Sequence, residues 1–249
     1  MITKEITSLQ HPIVKHIVQL RLDRDFRQAS EQVLVAGHKL VQELSSHFSL
    51  DLLIVEKNYI PPTLLKAKEC LRVTDGILKK ITGLEHPEPI AALVPLPKQQ
   101  DLSQKKFLLS LDGVSDPGNL GTIIRTAYAL GWEGIFITPS TCDPFNDKAI
   151  RAAKGASFFL PLQQGTYEEL QDLVNKNHLF VYVADAKGTP LDKKTLKFPL
   201  LLILGNESLG VNAMIKDKYP SLSLPIKNIE SLNVAIAGAI LMYAIKVGL

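Results

Sequence analysis

The sequence predicts an α/β protein in which a small N-terminal α/β unit precedes a larger unit built on a parallel sheet. Three observations carry this. Short apolar runs alternate with helical stretches along the whole chain. The runs of the second half, FLLSLDG, GIFIT, FVYVAD and PLLLILG, are nearly continuous in apolar residues, the pattern of strands covered on both faces. Between the halves lies VPLPKQQDLSQKK, which is polar, holds two prolines and shows no apolar period. The division predicted is residues 1–95, a linker at 96–106, and residues 107–249.

In the first half a helical pattern covers Pro12 to Leu22, with Ile13, Ile17, Val18 and Leu20 on or near one face. A strand at Val33–Val35 and a helix from His38 to Ser46 follow. Another strand spans Leu52–Val55, and Pro61-Pro62 open a short helix. A strand near Leu71–Val73, a helix from Asp75 and a strand at Ile90–Val94 complete the unit. In the second half Phe107 begins a buried strand and Asn119–Leu130 a helix. Gly134–Thr138 is a strand, Asn146–Gly155 helical, Phe158–Leu162 a strand and Tyr167–Lys176 a helix. Strands at Phe180–Asp185 and Pro199–Gly205 precede a short helix at Asn212–Lys218. A strand at Ser221–Ile226 and a long apolar helix from Ser231 to Val247 end the chain.

Composition excludes several classes. A chain of 249 residues with 46% hydrophobic and 21% charged residues is an ordinary globular chain, able to bury a core without disulfides. Cys70 and Cys142 are isolated, there is no CxxC, and the six histidines form no HExxH, so no metal site is expected. The N-terminal MITKEITSLQHP lacks the apolar core of a signal peptide. The most apolar stretch, Val234–Ile245, is shorter than the roughly 20 residues of a membrane span. A cytoplasmic protein is expected. The net charge of +3 permits nucleic-acid binding without arguing for it. The cluster Arg21, Arg24, Arg27 reads either as a phosphate contact or as a solvated face paired with Asp23 and Asp25.

Three segments lie just past the C-terminal ends of predicted strands, where ligands bind in such sheets. The first is LDGVSDPGNLGTIIRTAYALG. Here Asp116 and Asn119 are candidate helix caps, and Gly118 and Gly121 suit a tight turn and close packing. Arg125 falls in an otherwise apolar helix, a costly place for an arginine unless it is paired, exposed or used. The second, LLILGNESLGV, runs from a buried strand into Gly205, Asn206, Glu207 and Ser208. Glu207 suits a helix N-terminus. The third is LPIKNIESLNVAIAGAI, where Ser231 fits an N-cap and Asn233 is a polar residue at the head of a very apolar helix. There is no P-loop, no GxGxxG and no GxSxG.

In this order and spacing the three segments, with RAAKGASFFLPL between the first and second, resemble the SpoU (TrmH-like) family of RNA ribose methyltransferases in the SPOUT superfamily. The resemblance covers nearly all of residues 107–249. More loosely, ITSLQHPIVKHIVQLRLDRDFRQ and VLVAGHKLVQEL resemble the substrate-binding domain often fused to such domains. Ala36 stands where relatives often carry Glu. What the resemblance implies is specific: a trefoil-knotted catalytic domain, S-adenosylmethionine as cofactor without a metal, RNA as partner with ribosomal favoured over transfer RNA, and a homodimer. It implies catalytic roles for Arg125, Asn119, Glu207, Ser231 and Asn233. It implies cofactor contacts from Leu204, Gly205, Asn206, Leu224, Ile226, Ser231 and Leu232, some of which are also core residues. Three alternatives stay open: the same chemistry on transfer RNA, a base methyltransferase of the superfamily, and a non-catalytic RNA-binding protein on the same fold.

Overall fold

The computed structural model describes residues 2–247. The chain separates into two units. One runs through Lys98 and includes Phe145–Asp147; the other comprises Gln99–Pro144 and the chain from Lys148 onward.

The first unit contains β1 (Ile2–Ile6), α1 (Pro12–Leu22), α2 (Arg24–Ser30), β2 (Gln32–Ala36), α3 (His38–Ser45), β3 (Leu50–Glu56), β4 (Ala67–Val73), α4 (Asp75–Thr82) and β5 (Ile90–Pro95). Its sheet has the order β1-β4-β3-β5-β2. The pairs β1–β4 and β3–β4 are parallel, and β5 runs antiparallel to both its neighbours. Helix α1 starts where Pro12 supplies a pre-set φ and the His11 ring accepts from the Ile13 N–H. It buries Val14, Ile17 and Leu20 against Leu52, Ile54 and Leu71. Asp23 ends α1 and caps α2, its Oδ1 accepting from Phe26 N at 3.0 Å.

Three sequence expectations change in this unit. Arg27 is neither a phosphate contact nor part of a solvated face. It is 3% exposed, and its guanidinium donates to the carbonyls of Leu20 (2.7 Å) and Arg21 (2.9 Å), which α1 leaves without helical partners. Pro61-Pro62 opens a turn, closed by Leu65 N to Pro62 O at 3.2 Å, and no helix. Strand β1, absent from the sequence reading, pairs along β4 as an edge.

The second unit contains β6 (Phe107–Asp112), α5 (Pro117–Ala129), β7 (Gly134–Ile137), α6 (Asp147–Ala153), β8 (Leu162–Gln164), α7 (Tyr167–Lys176), β9 (Phe180–Pro190), β10 (Leu200–Gly205), α8 (Ala213–Lys216), β11 (Ser221–Ser223) and α9 (Val234–Val247). The sheet order is β11-β9-β10-β6-β7-β8, and every pairing is parallel. Residues Phe158–Leu162 are not a strand. Ala156–Phe158 form a 3-10 turn after Gly155, which sits at φ 87°, and β8 begins only at Leu162. Their apolar run reports burial, which a compact turn satisfies as well as a strand. The segment before β6 is anchored to this unit: Leu102 is fully buried in its core, and Asn177 Nδ2 donates to the carbonyls of Leu102 and Lys105.

The strand order sets the place of a site. From β6 the chain moves outward through β7 to β8, then returns on the other side through β9 and β10. The C-terminal ends of β6 and β10 are therefore neighbours at a switch point, with Asp112 level with Gly205. After edge strand β11 the chain comes back over the sheet, and α9 packs against α5 and β10. A Cβ at Gly238 would meet Leu204 Cδ1 at 2.6 Å, so glycine is what lets α9 lie so close to β10. This return path is consistent with the knotted course that the resemblance implies.

Candidate active site

At the switch point the three segments singled out in the sequence converge. Asp116 caps α5, its Oδ1 accepting from Asn119 N at 2.8 Å. The Asn119 side chain is thereby free of capping and spans two other segments. Its Nδ2 donates to Glu207 Oε1 at 2.9 Å, and its Oδ1 accepts from Asn233 Nδ2 at 2.9 Å. The second carboxylate oxygen of Glu207 accepts from the N–H and hydroxyl of Ser115 at 3.4 and 3.2 Å. Glu207 is exposed and precedes no helix; it fixes Asn119. Partial burial works against its charge, but the hydrogen bonds from Asn119 and Ser115 hold its carboxyl below the usual range.

Helix α9 begins at Val234, later than Ser231. Asn233, not Ser231, caps it: its Oδ1 accepts from Ala235 N (2.9 Å) and Ile236 N (3.3 Å). One asparagine thus ends the third segment's loop, starts the helix and joins the polar chain. Ser231 lies in the preceding loop and faces the cavity described next.

A cavity of about 590 Å³ opens beside this chain, within the range of small-molecule sites. Leu204, Gly205 and Asn206 line it from the end of β10; Leu224, Ile226, Ser231 and Leu232 line it from the loop after β11. Glu207 and Asn233 also contribute to its wall. Asn206 lines it with its side chain already committed: Nδ2 donates to Gly113 O at 2.8 Å, and Oδ1 accepts from the N–H of Ser208 and Leu209. A narrow β-bridge between Asn206 and Gly210 closes the loop, and a Cβ on Gly205 would meet Gly210 C at 2.4 Å. Apolar side chains with intervening backbone and polar groups suit a ligand carrying a flat aromatic ring and a charged tail, as S-adenosylmethionine does.

Arg125 is exposed on α5, outside the cavity lining, and has no ion-pair or hydrogen-bond partner among the described residues. Exposure resolves the cost that its apolar surroundings suggest. Sequence reasoning missed Asp112, a buried acid at the end of β6. It also missed Asp185, which pairs with Lys216 in the cavity wall. For Asp112 the signal was present, since an acid closes an otherwise apolar strand. Among the described residues no group of three or more His, Cys, Asp or Glu could hold a metal ion. No helix among them is long and apolar enough to cross a membrane.

Comparison with known proteins gives the following. The model of the SpoU rRNA Methylase family matches residues 106–243, and that of the MRM3-like substrate binding domain matches residues 11–92. The 23S rRNA (guanosine(2553)-2'-O)-methyltransferase RlmP of Bacillus subtilis is 33% identical over 98% of this chain and 99% of its own. The AdoMet-bound rRNA methyltransferase of Sinorhizobium meliloti superposes with a TM-score of 0.85 at 28% identity, covering 99% and 98% of the two chains. A protein of the TrmH family from Porphyromonas gingivalis gives 0.80 at 26%, covering 97% and 100%.

Proposed function

This chain belongs to the SpoU rRNA Methylase family, and on that footing we propose that it methylates a ribose 2'-hydroxyl of ribosomal RNA, using S-adenosylmethionine, in the cytoplasm. The observation that carries the reading is the hydrogen-bonded chain Glu207–Asn119–Asn233, which draws all three segments together at the wall of the cavity. The ribosomal target is supported by the relative RlmP, whose printed substrate is 23S rRNA. The cytoplasm is supported by that substrate and by two free cysteines.

When bound, S-adenosylmethionine supplies a methyl group already activated by its sulfonium sulfur. The protein's task is then alignment and charge. Holding two reactants in line can contribute about 7–11 kcal/mol of barrier reduction. Leu204, Ile226 and Leu232 give the cavity apolar wall, and Gly205 brings the backbone to it without side-chain bulk. Asn119, locked by Glu207 and Asn233, orients the ribose. Arg125 grips the phosphate beside the target ribose and stabilises the alkoxide as the 2'-oxygen gives up its proton. A guanidinium with a pKa above about 12 does not take that proton itself; a phosphate oxygen or water accepts it. A second copy of the chain is part of the reading. The exposed stripe Ile236, Ile240 and Tyr243 on α9 supports it.

The test is nucleoside mass spectrometry of ribosomal RNA and of transfer RNA, each incubated with the protein and labelled S-adenosylmethionine. Label is expected in a 2'-O-methyl nucleoside, lost with Arg125→Ala and reduced about a hundredfold with Arg125→Lys, which cannot grip a phosphate bidentately. Label on a base overturns the mechanism, label on transfer RNA alone overturns the target, and near-normal turnover by Arg125→Lys overturns the role of Arg125.

A further inference from the structure

Asp112 stands at the end of β6, 3% exposed, where a charged carboxylate is costly unless its oxygens are satisfied. They are, by three different parts of the unit. Oδ1 accepts from the Thr138 hydroxyl beyond β7 (3.1 Å) and the Tyr167 hydroxyl on α7 (2.7 Å). Oδ2 accepts from the backbone N–H of Asn212 at 2.7 Å. The next residue, Gly113, receives Asn206 Nδ2 on its carbonyl at 2.8 Å. The loop from Asn206 to Asn212 is thus pinned at both ends to two consecutive residues, Asp112 at the end of β6 and Gly113 just after it. That loop carries Glu207, which holds Asn119, and supplies cavity wall from Asn206 through Val211. No side-chain atom of Asp112 need touch a ligand for it to govern the site.

We propose that Asp112 is a positioning residue whose buried carboxylate latches the far end of the Asn206–Asn212 loop and so holds the cofactor cavity in its binding shape. This rests on the reading of that cavity as the S-adenosylmethionine site. The latch uses a backbone N–H, so it can be cut without touching the buried acid. Asn212 sits at φ −48°, near the value of about −65° that proline imposes. Asn212→Pro therefore deletes the donor. It also deletes the side-chain cap on Met214 N, and Asn212→Ala deletes that cap alone while keeping the N–H.

The experiment is calorimetric binding of S-adenosylmethionine to the full chain and its variants, each first shown to unfold cooperatively above the binding temperature. Asp112→Ala and Asn212→Pro are expected to weaken binding at least about tenfold, because a loop displaced by an ångström loses its contacts. Asn212→Ala, which spares the latch, is expected to stay within about threefold. Should Asp112→Ala not fold, the Asn212 pair decides. Wild-type affinity in Asn212→Pro, or equal weakening in Asn212→Ala, overturns the latch while leaving the cofactor reading intact. No binding by the wild-type chain overturns both.

Discussion

Glu207 is the residue on which the polar chain turns, and its ionisation gives the site a defined acid limit. Its carboxyl is held below the usual range by Asn119 and Ser115 against the effect of burial. For a depressed carboxyl, the stabilisation is complete above the unfolded value of about 4.3 and fades as pH falls through the lower folded value. Cofactor affinity should therefore be insensitive to Glu207 from pH 8 down to about 5 and decline only in more acid solution. Glu207→Gln should flatten that acid limb; a Glu207-dependent midpoint near pH 6.5 would contradict the assignment. At this scale the sequence was informative for a physical reason. Glycine, asparagine, glutamate and serine crowd the ends of apolar strands only where a backbone must turn sharply or a ligand must be met. The family resemblance implied cofactor contacts from Leu204, Gly205, Asn206, Leu224, Ile226, Ser231 and Leu232, and these residues line the cavity. The sequence did not show that the Asn206 side chain is spent on Gly113, because a hydrogen bond across 93 positions leaves no local trace.

Elements were read well where one local rule decides them. Helix α7 starts with a capping box, Thr166 with Glu169, and runs Tyr167–Lys176 as its apolar period predicts. The start of α9 was misplaced because two residues of capping type, Ser231 and Asn233, stand close together, and both satisfy the same local preference. Packing against β10 and α5 chooses between them. A stability measurement separates the two directly. Asn233→Ala should cost about 0.5–2 kcal/mol in thermal or denaturant unfolding through the lost cap. Ser231→Ala, outside the helix, should stay within about 0.5 kcal/mol. Equal effects would return the cap to Ser231. Arg27 illustrates the opposite limit. Its neighbours Asp23 and Asp25 suggest a solvated face, yet the bend between α1 and α2 turns it inward onto two orphan carbonyls.

For the molecule as a whole, the stripe along α9 is an apolar face that a lone chain leaves exposed. Ile236, Ile240 and Tyr243 are 54%, 44% and 57% exposed, and their spacing puts them on one face of the helix. If a second copy covers this face, Ile240→Glu should convert a dimer to a monomer in sedimentation equilibrium and lower the unfolding temperature. A wild-type chain that sediments at 27.5 kDa would remove the dimer from the reading. The sequence by itself determined the α/β class, the parallel character of the second sheet and the three segments that gather at the site. These follow from burial and backbone preference, which act over a few residues at a time. Only the tertiary structure decided the strand order β11-β9-β10-β6-β7-β8, the use of Asp112 as the anchor between β6 and the Asn206–Asn212 loop, and the union of Asn119, Glu207 and Asn233. Those depend on which distant strands become neighbours, and that choice is made by the packing of the whole core.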